Sequence, residues 1–425
     1  MNTATLQDTY PINQSLSVYQ TRLLNFFWVG FLVYTLSFTL GTTGRVNIVL
    51  TEYCQVIGIL IFMPSALAVI QFKLESNYLK VLYTFYCCWL LITVARGIPM
   101  DYGMIKKNLF DPYNGFYLYM TPLIILLPIN LGHIRKVFLS VITLSIAYLL
   151  YNLLFIQNLI YIQGESSRTI LEYFAKTLGL SSGFLLLTYT YHTKSVNILA
   201  FATIVSTLLL AIIGARRGLI LISVIILAFT FIVYVYANRK QPGNLFVYAT
   251  GMLIALASVT FLVLRNDSSL LSFTKERMDE DTRTGVELYF YDDMEDQDWL
   301  IGRGMNGLVA APVSINDDHV QGMPGYRDGI ETDYLKIILK GGIISLGLQL
   351  LIAVPAIFLG FFYSSNTLSK AAALWIILWM LSLYPTNVTT FTMNYILVWV
   401  SIGICYSTSL RQMPENSIQE FFRSK

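Results

Sequence analysis

The sequence predicts an all-α, polytopic integral membrane protein, and three observations predict it. The 425-residue chain is 55% hydrophobic and only 12% charged, and its mean hydropathy of +0.60 lies outside the range of soluble globular domains. About twelve stretches approach the roughly 20 apolar residues that a spanning helix needs, starting near residues 23, 51, 79, 116, 137, 173, 196, 219, 245, 334, 371 and 389. A single polar segment is long, residues 265–333, so charge is gathered in one place.

Taken in order, residues 1–264 carry the first nine helices, 265–333 form the long loop, and 334–425 supply the last three helices and a tail. The first apolar stretch follows a polar tail of about 22 residues and has spanning length, which marks an uncleaved helix rather than a signal peptide. The fourth carries Pro122 and Pro128, and the eleventh runs for only about 14 residues before Pro385, so these two are the least regular. Cys54, Cys87, Cys88 and Cys405 all fall within apolar stretches, where cysteine behaves as a small buried hydrophobe. They imply neither a disulfide framework nor a metal cluster. There is no nucleic-acid motif or basic array, and a net charge of +3 carries no argument here.

An even number of spans puts both termini on one side. With the N-terminus in the cytoplasm, twelve Lys and Arg residues fall on the short cytoplasmic loops and tails and eight on the short outer loops, as the positive-inside rule favours. The long loop, with 16 acidic and 6 basic residues, then lies outside the cytoplasm. The outer cations Arg45, Arg96, Lys106, Lys107, Arg168, Lys176, Arg216 and Arg217 become informative, because cations on the wrong side serve a ligand or a lipid. Within the loop, an acidic stretch around Leu288, Tyr289 and Phe290 reads as a short amphipathic helix, broken by Gly302, Gly304 and Gly307.

Three constellations bear on chemistry. In IIGARRGLILI, Arg216 and Arg217 stand between two apolar helices. Guanidinium groups there face a water-filled cavity and an anion, or snorkel to lipid headgroups; the rigid fork of arginine suits a phosphate or pyrophosphate clamp. At the end of the loop, in ETDYLKIILKGG, a helix starting near Thr332 carries Asp333, Lys336 and Lys340 on one stripe. Asp333 and Lys336 read equally as a plain salt bridge. Glu331, just ahead of that helix, is either an ordinary first-turn acid or a carboxylate at a cavity mouth able to accept a proton from an attacking hydroxyl. WLIGRGMNG reads as a flexible turn, since its spacing is not the dinucleotide fingerprint. His319 is a lone loop histidine, and His133 and His192 lie in short cytoplasmic connections.

The order of these features, an outer Arg-Gly step between helices, then a long loop with W-L-I-G-R-G ending in E-T-D-Y-L-K-I-I-L-K-G-G-I-I-S-L, resembles the O-antigen polymerase and O-antigen ligase superfamily. The likeness covers about residues 200–350; the first half is similar only in hydropathy. It matches Arg217 and Gly218 to the Arg-Gly step, with Arg216 where the family often has serine. It matches Gly302 and Gly304 to loop glycines, Arg283 (or, in another register, Arg277) to an upstream arginine, and Tyr334, Leu335 and Gly342 to the terminal segment. Glu331 and Thr332 stand where ligase-type members carry histidine and asparagine, a departure that tilts the reading towards a polymerase.

The resemblance implies a GT-C-like membrane glycosyltransferase in a bacterial inner membrane, its site facing the periplasm. The donor and acceptor partners it implies are glycans on undecaprenyl pyrophosphate, alongside membrane lipid and with room for a chain-length regulator protein. Arg216, Arg217, Arg283, Arg303 and Tyr334 would bind pyrophosphate and glycan and stabilise the growing charge on the leaving group. Glu331 would act as base or positioning group on the acceptor side, with Arg217 as its catalytic partner. No metal or cofactor is demanded, since guanidinium can take the place of a divalent ion, and a single displacement inverts the anomeric centre. A ligase shares this donor and mechanism and differs in acceptor. A flippase or solute transporter would place substrate charges near mid-membrane in broken helices, and a cell-wall glycan polymerase would carry motifs absent from this sequence.

Overall fold

The computed structural model describes residues 17–98, 100–155, 165–238, 284–310 and 325–424. The apolar stretch starting near residue 245, Arg277, Arg283 and His319 lie outside the described residues. The fold is built almost wholly from helices: α1 (Val18–Gly41), α2 (Ile48–Val69), α3 (Asn77–Ala95), the short α4 (Tyr102–Phe110), α5 (Phe116–Met120), α6 (Leu131–Leu154), α7 (Glu165–Phe174), α8 (Ser182–Leu187), α9 (Lys194–Ile213) and α10 (Arg217–Asn238). The loop contributes α11 (Thr284–Asp293), α12 (Asp296–Ile301) and a two-residue ladder of β1 (Val309–Ala310) with β2 (Tyr326–Arg327). Then come α13 (Asp333–Phe362), α14 (Thr367–Ser382), α15 (Met393–Tyr406), α16 (Thr408–Arg411) and α17 (Glu415–Arg423).

Eight helical segments among the described residues are long and apolar enough to cross a membrane. Three expected spans are shorter: α5 with the 3-10 turn Thr121–Leu126, α14 and α15. The prolines explain the first of these, because a helix tightened at Pro122 and stopped before Pro128 has no amide to continue its hydrogen-bond ladder. Helix starts follow their capping residues. Ser17 and Gln20 form a reciprocal capping box on α1, and Asn47, Ser76, Asn130 and Asn366 cap α2, α3, α6 and α14. Between α1 and α2, Gly30 and Gly58 let the backbones touch, since a Cβ on either would lie within 2.8 Å of the other helix.

The connections segregate to two ends. At one, Thr93 O, at the end of α3, accepts from Met305 N of the loop, Lys107 of α4 pairs with Asp328, and Tyr334 N donates to Leu383 O in the α14–α15 connection. At the other, Gln71 N donates to Leu126 O, Arg135 reaches the carbonyls of Phe421 and Ser424, and Tyr191 and Glu415 both bind Thr367. We call these the loop end and the tail end. Alternate connections fall at alternate ends, as a chain that crosses back and forth requires.

The loop is a folded cap with its own small core of Val286, Phe290, Met294, Val309 and Ile330, continuous with Leu335, Ile338 and Leu339 of α13. The expected amphipathic helix forms as α11, but its buried side is Val286 and Phe290, while Leu288 and Tyr289 are exposed. Four-residue spacing decides this: 286 and 290 share a helical face, and 288 lies opposite.

Candidate functional site

The site begins with a break in α13. Gly342 adopts φ 68° and ψ −179°, so residues 333–341 and 343–362 are two helices end to end. Residues 343–362, roughly 20 positions, match the hydrocarbon thickness. The preceding half-helix is instead sunk in protein, with Asp333, Leu335, Lys336, Ile337, Leu339 and Lys340 all buried. A segment that never meets lipid tolerates charge, so the charges that enter α13 belong to a polar pocket within the protein.

A helix that stops leaves its last carbonyls without partners. Here they are taken up one by one: Leu339 O accepts from Arg303 N at 2.7 Å, Lys340 O from Gly304 N at 2.9 Å and Gly341 O from Trp89 Nε1 at 2.8 Å. The W-L-I-G-R-G segment is therefore a cap on a broken helix, not a flexible turn. Gly302 (φ 71°) has to be glycine on a second count, because a Cβ there would meet Gly341 N at 2.5 Å. Arg96 clamps the same turn from outside, donating to Ile301 O at 2.7 Å and Gly302 O at 2.6 Å.

Arg303, read from sequence as a loop arginine that helps close a pyrophosphate and glycan site, is engaged within the cap. Its Nε donates to Asp298 Oδ2 at 2.7 Å and its Nη1 to Leu308 O at 2.8 Å, while both terminal nitrogens also reach Asp293. Burial alone would lower this guanidinium, but the hydrogen bonds and charge of Asp293 and Asp298 raise it above its ordinary value. With that many donors committed, its observed role is to clasp the loop.

Arg216 and Arg217 flank the start of α10. Ala215 holds φ 53°, an uncommon backbone for a residue with a side chain, and this turn sends Arg216 to Glu172 at 3.3 Å. Glu172 also binds Lys176 at 2.5 Å, and Lys176 lies on the π-helical stretch Ala175–Gly179, a geometry that recurs at functional positions. Arg217 is exposed. The next residue, Gly218, abuts the α14–α15 connection, where a Cβ would lie 2.6 Å from Pro385 O. Asp333 reaches the same connection from the other side, its Oδ2 accepting from Val388 N at 3.1 Å and Thr389 N at 2.6 Å. Tyr334 is half-buried between the loop core and the membrane core. Glu331 is exposed above the half-helix. The structure thus brings Arg216, Arg217 and Asp333 around one connection and places Glu331 at the surface rather than in the pocket.

The structure buries the cation stripe of α13 beneath the cap. Lys336 Nζ donates to Tyr113 O at 2.7 Å and Asn387 Oδ1 at 3.2 Å, and Lys340 Nζ donates to Gly307 O at 2.7 Å. Of the two readings of Asp333 and Lys336, the plain salt bridge does not form, because Asp333 is drawn to the 388–389 amides and Lys336 to neutral oxygens. The neighbouring cations have carboxylates: Lys106 with Glu52, Lys107 with Asp328, and Lys176 and Arg216 with Glu172. Lys336 and Lys340 are at most 5% exposed and hydrogen-bond to neutral acceptors. They line a cavity of about 40 Å³ together with Thr93, Ser345, Gln349 and Tyr395. Two buried acceptors on residues of that lining, Asp333 Oδ1 and Gln349 Oε1, have no hydrogen-bond partner in the protein. The pocket is therefore polar on both counts, with two lysine amines as donors and two oxygens that still lack a donor, a set that suits water or a ligand able to donate as well as accept.

Fold and site together define a mostly helical protein with, among the described residues, eight helices able to cross a membrane and a buried, lysine-lined pocket under a loop cap. Comparison with protein-family models, with curated proteins and with solved structures gives no match.

Proposed function

We propose that the chain is a membrane glycosyltransferase that polymerises undecaprenyl-pyrophosphate-linked repeat units into a surface polysaccharide, by inverting transfer at the loop end of about twelve spans in a bacterial inner membrane. The observation that carries this reading is the pair of buried ammonium groups, Lys336 and Lys340, bonded to neutral oxygens beside a polar cavity. Two buried lysines share the pocket with one carboxylate, Asp333, and the excess positive charge costs several kcal/mol unless it is compensated, which a pyrophosphate would do. A cavity of about 40 Å³ holds water molecules, not a sugar; pyrophosphate oxygens would take the place of such waters on the two lysines while the glycan stays under the cap. Arg216 and Arg217 stand at the adjoining helix start, suited to charge that grows on the leaving group. Glu331, exposed at the rim, would meet the acceptor hydroxyl rather than the phosphate. Arg303 keeps the cap in place.

The test is the gel profile of surface glycan from cells lacking the gene, complemented with wild type, Lys340→Met or Arg217→Ala. Glycan capped at one repeat, with the ladder restored by wild type alone, supports polymerisation. Loss of all surface glycan while long carrier-linked chains accumulate would instead assign the ligase reaction, and accumulation of single carrier-linked repeats on the inner leaflet would assign transport.

A further inference from the structure

At the tail end the bundle encloses a much larger basin, about 630 Å³, far from the lysine pocket. Its floor is apolar, with Leu79, Ile125 and Leu127 among the lining. Its rim carries Lys73, Arg135 and Lys136 against one carboxylate, Glu75. Glu75 is already satisfied, accepting from Thr408 N at 2.7 Å and Ser407 Oγ at 3.2 Å. Among the described residues no carboxylate pairs with these cations. Arg135 donates to the carbonyls of Phe421 and Ser424, with its guanidinium 4.8 Å above the Phe421 ring, and Lys136 donates to Asn25 Oδ1. The N-terminus of the 24-residue α6, whose dipole favours an anion, opens beside them.

We propose that this basin binds a phosphate-bearing anionic group, the headgroup of an acidic phospholipid in the leaflet at the tail end. The reasoning is one of matched chemistry. A rim of three cations with a single, engaged carboxylate selects negative charge, and an apolar floor selects a molecule that brings hydrocarbon with it. Basic pockets between spanning helices at such a face are a recurrent solution for acidic headgroups, and the volume falls in the range of ordinary ligand sites. The C-terminal helix α17 shares the site, because Arg135 fixes the end of that helix and Phe421 lines the basin. Occupancy would therefore tighten the docking of the tail. This site is separate from the proposed glycosyl transfer and does not depend on it.

The experiment uses the full-length purified protein and the double variant Lys73→Gln, Lys136→Gln, whose side chains sit at the rim rather than in the core. Binding of phosphatidylglycerol and of phosphatidylcholine is measured by native mass spectrometry, and thermal stability with and without added lipid. Expected are preferential retention of phosphatidylglycerol by wild type, at least a tenfold loss of that preference in the variant, and equal melting temperatures of the two proteins without lipid. Displacement of the lipid by millimolar inorganic phosphate would retain the anion site while assigning it to a free phosphate. Equal retention of both lipids by wild type, or an undiminished preference in the variant, would overturn the proposal. A variant that melts lower without lipid is replaced by Lys73→Gln alone, to which the same criteria apply.

Discussion

Lys340 and Gly342 lie two positions apart and illustrate opposite uses of a residue. Lys340 is a buried charge whose removal relieves the fold: an apolar side chain of similar shape needs no compensating anion. Lys340→Met is therefore expected to leave the melting temperature unchanged or raised, while glycan extension falls by two orders of magnitude or more. Thermal unfolding in detergent beside the complementation gel checks both halves, and a purely structural lysine would fail the first. Gly342 is the reverse. Its φ of 68° is unfavourable for other residues, and a Cβ would lie 2.0 Å from Leu300 O. Gly342→Ala should destabilise by about 3 kcal/mol or more, combining backbone strain with the displaced cap, and show as a lowered melting temperature and faster protease cleavage in the loop.

At the scale of elements, the loop cap stands on Arg303. Lysine in its place carries the charge but not the planar fork, so it cannot serve Asp293, Asp298 and the Leu308 carbonyl together. Arg303→Lys is expected to cost about 2 kcal/mol and to increase proteolysis between α11 and β1 without altering insertion. At the tail end, His192 holds Thr188 Oγ1 at 3.0 Å and packs on Phe138, which also contacts Phe422 of α17. Burial lowers its imidazole from the ordinary value to about 4. The unfolded chain takes up its proton near pH 6.5, so this contribution is complete above that pH and is lost as pH falls towards 4. About 2 kcal/mol is at stake after allowance for partial exposure. Melting temperatures at pH 7 and pH 5 should differ in wild type and differ less in His192→Gln.

For the whole molecule, the separation of contacts into two ends is the testable property. Tyr326 lies on the loop cap and Glu420 on α17, both exposed. A cysteine at position 326, in a background lacking the four native cysteines, should react with a membrane-impermeant maleimide in spheroplasts. One at position 420 should react only after permeabilisation. Both reacting from the same side would refute the alternation.

How much of this was legible in the sequence depends on the range of the interaction responsible. Hydropathy is a sum over neighbours in the chain, so the apolar stretches with described counterparts could be placed from composition alone, as could the helix start near Thr332. The same local logic marked the wrong-side cations. What it could not supply was pairing. Whether Lys336 binds Asp333 or a carbonyl, whether Arg303 faces substrate or Asp293, and where Asp333 finds its donors are decided by segments far away in sequence, here the α4–α5 connection, α11 and the α14–α15 connection. The glycines were visible as letters, but the break at Gly342 acquires its meaning only when the cap arrives to satisfy three orphaned carbonyls. The sequence by itself determined that the chain is mostly helical with segments apolar enough to cross a membrane, and where charge gathers along it, because hydropathy is a property of each segment. Tertiary structure alone decided which charges hold the cap and which line the buried pocket, because a hydrogen bond has two ends and the sequence shows only one of them.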